Sequence, residues 1–418
     1  MTPLEQRLRA DLPELADALL AHRATAPRLP TESSELLDAL PAPPRRATSI
    51  LRVLVGAAAT VSIVAALMLI GNRLTGRSDP TRIETTNAAA PAHFGTWSPL
   101  AEAPIEPRSY AVTAWTGSRA VFWAGSNIAR NAAYEDGAMY DPATDSWEEM
   151  SVPGWGHPGL TSAFFDGELY ALAKGGGTRF DPIAGEWRDL PQVDGMFLAA
   201  TVASDETIWG LGPAASNVIG QPDLAIARFD PADDTWSYGP VWEPSTEQSA
   251  IVSGLSRLES SAVWIGNEVF VCGRTGGCVA FDPSNETWRS IPPASKADAP
   301  SVTVVTELGL TMLVQSGDGS TAYVEVLSET GWERRVSELQ VGNFETVTTA
   351  AAGEWLAIFA SEEPPLVVHL PTGAWQVAPD ARLAGVQAPN TVWTGGELLV
   401  WGGRSDDPSR VGGARWTP

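Results

Sequence analysis

Lysine is almost missing from this 418-residue chain. Lys174 and Lys296 stand against 25 arginines, a skew that reads as compositional bias rather than function. Histidine occurs four times and cysteine twice. With no cluster of those side chains, a zinc or copper centre lacks its donor set, so neither a metal nor a cofactor is expected. Positive charge is scarce as well: residues 95–418 hold 17 basic and 41 acidic side chains, and the whole chain carries a net −23. A body that acidic repels phosphate backbones, which argues against a nucleic-acid partner. Catalytic signatures are missing too. No Gly-x-Ser-x-Gly elbow occurs, and no Ser-His-Asp set stands out. The glycine-rich "AKGGGTRF" (173–180) leads into a strand, whereas a phosphate loop needs a helix.

Long apolar runs are absent with one exception. "VLVGAAATVSIVAALMLI", Val53 to Ile70, is 18 residues without a charge. At about 1.5 Å per residue it reaches roughly 27 Å, close to the hydrocarbon thickness of a bilayer. A buried core helix is the competing reading, disfavoured by the polar, low-complexity flanks. A cleaved signal peptide fits worse, because the apolar core starts late, runs long and lacks a small-x-small site directly after it. Arg45, Arg46 and Arg52 precede the span while Arg73, Arg77 and Arg82 follow it, so the positive-inside count ties. A long C-terminal domain translocates largely regardless of charge. The expected arrangement is a single-pass cell-membrane protein with its N-terminus in the cytoplasm. Residues 1–46 form a short, partly helical cytosolic tail, 47–71 the transmembrane helix, 72–94 a flexible linker and 95–418 an extracytoplasmic body. In the tail, Leu4, Leu8, Leu12, Leu15, Leu19 and Leu20 share one helical face interrupted by Pro13, a surface suited to a cytosolic protein or to a solvated, weakly helical segment.

What the chain has in abundance is tryptophan, glycine and proline, 17, 39 and 33 residues, with every tryptophan in the body. They recur in order. "MYDPATDSWEEM" (139–150) returns as "RFDPADDTWSYG" (228–239). Aligning on the opening position gives Tyr140, Phe180, Phe229, Phe281, Leu327, Leu370 and Trp416, spaced by 40, 49, 52, 46, 43 and 46 residues. Self-similarity at that period points to a propeller, solenoid or array. The first four continue as Asp-Pro, at Asp141, Asp181, Asp230 and Asp282, and reach Trp147, Trp187, Trp236 and Trp288 seven residues on. "VLSETGW" and "HLPTGAW" reach Trp332 and Trp375 after five. Upstream lie hairpins such as "SYAVTAWTGSRAVFWAG" (109–125) and "NTVWTGGELLVWGG" (390–403), each two runs of β-formers around a glycine-containing turn. Each unit therefore offers four strands. Asp-Pro fixes a turn, and the Trp wedges against the neighbouring sheet. A four-stranded sheet cannot bury both faces alone, so such sheets stack around an axis. Trp416 and Pro418 stand where Tyr140 and Pro142 stand in the first unit, leaving the seventh unit without an outer strand. "GTWSPLAEAPI" (95–105), with Trp97, has no blade of its own, and it is expected to supply that strand. The prediction is an all-β, seven-bladed ring closed by an N-terminal outer strand.

Hairpin, glycine, aromatic-Asp-Pro and Trp together resemble the kelch repeat of galactose-oxidase-like propellers across residues 95–418. The likeness is specific in blades one to four and in "WTGGELLVWGG" of blade seven. The paired glycine survives at Gly175–Gly176 and Gly402–Gly403, and Ala360–Ser361 replaces it in blade six. The layout of tail, span and propeller is similar to membrane-anchored bacterial kelch proteins. That resemblance implies a fold and a habit of binding, with no single chemistry attached. Galactose oxidase builds a copper site from tyrosines, histidines and a Tyr–Cys crosslink. Here only His157 and His369 lie in the propeller, and His369, within "LVVHL", reads as a packed core residue.

Propeller ligands meet the rim where inter-blade loops and second-to-third-strand loops emerge. Arg130, Tyr134, Trp155, His157, Trp242 and Arg404 are the candidate contact residues there, being of the types that dominate binding surfaces. Cys272 and Cys278 flank "GRTGG" in blade four and are expected to pair across the hairpin mouth in an oxidising compartment. The leading function is a membrane-anchored, non-catalytic binding propeller for a protein or glycan ligand. The alternatives are an envelope carbohydrate-active enzyme and a sensor whose cytosolic tail engages a regulator.

Overall fold

The computed structural model describes residues 91–418 except 92, 128–131, 154–160, 174–175, 194–195, 197, 215–222, 246–260, 275–276, 295–299, 318, 320, 362, 379–382 and 406–411. Val53–Ile70 and the tail at 1–46 lie outside the described residues. Among those described, no helix is long and apolar enough to cross a membrane.

Seven four-stranded antiparallel sheets make up the fold. From inner to outer strand, blade one is Val112–Trp115, Ala120–Trp123, Gly137–Asp141 and Ser146–Glu149. Blade two is Thr161–Phe165, Glu168–Ala173, Gly176–Asp181 and Glu186–Leu190. Blade three is Ala200–Ala203, Ile208–Pro213, Leu224–Asp230 and Thr235–Tyr238. Blade four is Ser261–Ile265, Glu268–Cys272, Cys278–Asp282 and Thr287–Ile291. Blade five is Ser301–Thr306, Gly309–Gln315, Thr321–Ser328 and Gly331–Gln340. Blade six is Thr348–Ala352, Trp355–Phe359, Leu366–His369 and Ala374–Val377. Blade seven joins Asn390–Trp393, Leu398–Trp401 and Gly413–Thr417 to Thr96–Pro99 from the start of the body.

That last pairing closes the ring. Thr96 faces Thr417, Trp97 faces Trp416 and Pro99 faces Ala414. Each innermost strand contacts the innermost strands of both neighbours, the first and the last included. The chain is a seven-bladed β-propeller.

Burial explains the composition of the strands. The second and third strands lie between two neighbouring blades and are buried on both faces, as in Ala120–Trp123 and Leu398–Trp401. Strands covered on both faces read as continuous apolar runs. Outer strands such as Ser146–Glu149 and Thr235–Tyr238 are exposed except at the tryptophan. Every seam between neighbouring blades holds its own buried cluster. A seam therefore stabilises two sheets at once, the reason the unit repeats.

The aromatic-Asp-Pro motif sets the outer turn. Tyr140, Phe180, Phe229 and Phe281 lie directly opposite Trp147, Trp187, Trp236 and Trp288. Asp141, Asp181, Asp230 and Asp282 each accept a backbone N–H two residues on, from Ala143, Ile183, Ala232 and Ser284. The indole N–H groups then tie neighbouring blades together. Trp147 donates to the Ala101 carbonyl, Trp187 to Ser151, Trp288 to Pro240 and Trp332 to Pro292. Each acceptor follows the outer strand of the preceding blade, so the tryptophan latches one sheet to the exit of the last.

Blade six departs from the sequence alignment. The residue opposite Trp375 is Val368, seven positions earlier, not Leu370. Its turn is thus as long as those of blades one to four, with His369 in the place of the Asp. His369 is half-buried instead of packed in the core. Its Nδ1 contacts the Thr372 hydroxyl at 2.8 Å, and its ring stacks at 4.6 Å from Trp355. Among the described outer turns, only that of blade five is shortened, with Ser328 opposite Gly331. Cys272 and Cys278 face each other across blade four and form a disulfide.

Candidate functional site at the seam of blades seven and one

Second-to-third-strand loops and inter-blade connections leave the same end of each sheet and form one rim. Of the six sequence-predicted contact residues, Arg130, Trp155 and His157 lie outside the described residues. Tyr134 and Arg404 meet at one seam, whereas Trp242 belongs to another. Trp242 exchanges backbone hydrogen bonds with Leu224 and packs its ring 6.3 Å from Trp288, between blades three and four.

What joins Tyr134 to Arg404 is Arg108, which the sequence reading missed. Arg108 lies on the connection into blade one, and its side chain is fully buried. Its Nε donates to the Glu106 carbonyl at 2.8 Å, and Nη1 and Nη2 reach the two carboxylate oxygens of Asp136 at 2.5 and 3.2 Å. A buried guanidinium needs this fork of acceptors, since desolvation otherwise exceeds the Coulombic gain. The Arg108 hydrogen bond holds the Asp136 carboxyl below its ordinary value. The Tyr134 ring covers the guanidinium at 3.9 Å, and the Tyr134 hydroxyl donates to Glu106.

The backbone of Arg108 holds blade seven. Its carbonyl accepts from the Gly403 N–H and from the Asn390 side-chain amide, both at 2.7 Å. Asn390, buried on the innermost strand of blade seven, also donates to the Trp401 carbonyl and accepts from the Ala111 N–H. Gly402 and Gly403 both have positive φ, and a Cβ there would come within 2.5 Å of the Arg108 carbonyl oxygen or of Val386. Only glycine fits that approach. Arg404 follows directly and is bridged to Gln387 by two backbone hydrogen bonds.

Three residues other than glycine adopt left-handed backbone at this end of blades one and seven: Tyr110 (φ 57), Ala124 (φ 57) and Ala388 (φ 44). Such conformations cost about 1 kcal/mol or more each and persist where the surroundings over-determine them. One consequence is visible. Tyr110, pinned between the buried Arg108 and the Asn390-bonded Ala111, is 63% exposed. The strained turn presents a large aromatic to solvent two residues after the buried Arg108. No sequence pattern marks Arg108 or Tyr110, because Asp136 comes from the loop before the third strand of blade one and Asn390 from the innermost strand of blade seven.

The opposite end of the sheets carries clefts between blades. One of about 480 Å3 separates blades three and four, and another of about 510 Å3 lies at the equivalent position between blades one and two.

No family model matches the chain, and no curated protein matches it. Among solved structures, a fungal alcohol oxidase of the AA5 family, in complex with copper, is similar at a TM-score of 0.50 and 14% identity. The match covers 78% of this chain and 77% of that one. The donors described in this chain do not fit a copper centre of the galactose-oxidase kind. Both cysteines are joined to each other, so no Tyr–Cys crosslink can form. His369 is held in an outer turn by Thr372, and among the described residues no three of His, Cys, Asp and Glu gather into a metal-binding group. At such low identity the likeness establishes the galactose-oxidase-like propeller fold and stops there.

Proposed function

We propose that this chain is a non-catalytic, kelch-type binding propeller that contacts a protein or glycan through the rim at blades seven and one. The observation that supports it is the strained turn that holds Tyr110 in solvent on the Arg108 connection, the connection that Tyr134 covers and that the segment leading to Arg404 bonds. Aromatic and arginine side chains held rigidly lose little entropy on binding and form the energetic centre of contact surfaces. The kelch assignment is supported by the aromatic-Asp-Pro-to-Trp spacing of blades one to four. The charge-free run Val53–Ile70 supports a membrane anchor, with 1–46 in the cytoplasm and the propeller outside. An enzymatic reading draws on the oxidase neighbour, but the donor set argues against its copper chemistry.

The test uses the full chain and its Tyr110→Ala and Arg404→Ala variants, screened by biolayer interferometry against envelope proteins and oligosaccharides. Retention of a ligand that weakens about tenfold or more in Tyr110→Ala, at unchanged melting temperature, is the expected result. A ligand indifferent to both substitutions, or turnover of a sugar substrate, would overturn the reading. Reporter fusions after residue 94 check the topology: a reporter active only in the cytoplasm would remove the extracytoplasmic placement.

A further inference from the structure

We propose that the cleft between blades three and four binds a neutral or amino-substituted oligosaccharide, independently of the rim at blades seven and one. The cleft is built from the first hairpin turn and outer strand of blade three and two turns of blade four. Its volume of about 480 Å3 lies within the range of ligand sites.

The equivalent cleft between blades one and two is an internal control. It is built from the same set of turns and has nearly the same volume, yet Met139, Met150 and Ile183 line it, with no Trp or Tyr. Blade stacking therefore makes the cleft, and the side chains of blades three and four equip it. Tyr238 ends the outer strand of blade three at 54% exposure, and Trp264 is half-buried on the inner strand of blade four. An exposed tyrosine and a tryptophan on the walls of one cleft offer flat apolar faces to the C–H face of a pyranose.

The polar lining suits the hydroxyl rim of such a ring. Glu206 offers acceptors, Arg228 donors, and Asn267 both. Trp209, in the same lining and 8% exposed, buries an indole N–H that has no partner among the described residues. An unsatisfied buried donor is costly and marks a place where an acceptor is wanted. Charge narrows the ligand further. Asp205, Glu206 and Glu286 outnumber Arg228, so a sulfated or phosphorylated sugar would meet net repulsion.

The experiment titrates the full chain with cellotriose, chitotriose and a heparin-derived trisaccharide, following tryptophan fluorescence and calorimetric heat. At least one of the first two is expected to bind at millimolar concentration and the heparin fragment not to. Tyr238→Ala should weaken binding about tenfold at unchanged melting temperature, as should Glu206→Gln to a smaller degree. Ile183→Ala, in the control cleft, should leave it unchanged. Binding of neither neutral sugar, binding of the heparin fragment alone, or full binding by Tyr238→Ala would overturn the proposal. Sugar binding lost in Tyr110→Ala but kept in Tyr238→Ala would move the sugar to the rim, overturning this inference while leaving the binding function standing. Capture of an extended peptide along the outer edge of blade three, with no sugar bound, would also overturn it.

Discussion

Blades one to four and blades five and six solve the same problem with different chemistry. In the first four, an Asp closes the outer turn, and a left-handed residue follows it at Asp145, Gly185, Asp234 or Glu286. In blade five, a two-residue turn leads into a ten-residue outer strand, Gly331–Gln340, with register shifts against its partner. In blade six, His369 and Thr372 replace the Asp, and Trp375 is 40% exposed. Yet both groups keep four strands and their place in the ring. The seam between blades five and six is filled all the same: its buried residues are aliphatic or alanine apart from Phe344. The second and third strands set the ring, and the outer turn is interchangeable provided the seam is filled.

The largest effect that would sharpen this comparison lies at closure. Trp416 is fully buried, and its indole N–H donates to the Phe94 carbonyl. Trp416→Ala is expected to cost about 3–5 kcal/mol in urea unfolding, as buried aromatic truncations do. Trp375→Ala, at the half-exposed position of blade six, should cost about 1 kcal/mol or less. Equal losses would mean that a third-strand tryptophan inside a seam and an outer-strand tryptophan matter alike, and that the seam does not decide.

Next in size is the staple in blade four. The disulfide closes a loop with a sequence separation of 6, and Cys272→Ser with Cys278→Ser should lower stability by about 2 kcal/mol. A midpoint that does not move under reducing conditions would contradict this.

The indole latches divide the blades again. Trp187 donates to the Ser151 carbonyl, while Trp236 has no partner for its N–H among the described residues. Trp187→Phe keeps a ring and removes the donor, with an expected loss of about 1 kcal/mol. Trp236→Phe should be neutral or slightly stabilising, since it removes a buried group that no described residue satisfies. The difference between the two midpoints is the measurement, and its absence would show that the latch is a bystander.

Much of this ring was legible in the sequence because period, aromatic and tryptophan repeat together, and because an orphan strand at 95–105 matches an incomplete last unit. Blade six was aligned two residues out of step because "LPTG" places a Pro after an apolar residue, much as the Asp-Pro motif does after its aromatic. The period is blind to such slips; only the ladder, with Val368 opposite Trp375, fixes them. The rim site was half legible. Tyr134 and Arg404 stand out by residue type, but Arg108 and Tyr110 acquire their roles from Asp136 and Asn390, which strand pairing alone brings near. The cleft between blades three and four was invisible, since no single unit contains it.

The smallest expected effect isolates the Asp of the repeat. Two backbone N–H groups, from Ala184 and Ile183, hold the Asp181 carboxyl below its ordinary value of 3.8. A carboxylate more acidic in the folded chain than in the unfolded one stabilises the fold above the unfolded value. That contribution is lost as the pH falls through the lowered folded value. Asp181→Asn keeps an oxygen that can accept from the turn amides and removes the titration. Stability near neutral pH should change by about 0.5 kcal/mol or less, because the group is exposed and water screens it. Below the ordinary carboxylate value the wild-type curve should fall more steeply than that of the variant. Parallel acid limbs in wild type and Asp181→Asn would show that the Asp of the motif acts only through turn geometry, and the chemical difference between the two groups of blades would then shrink to one of shape.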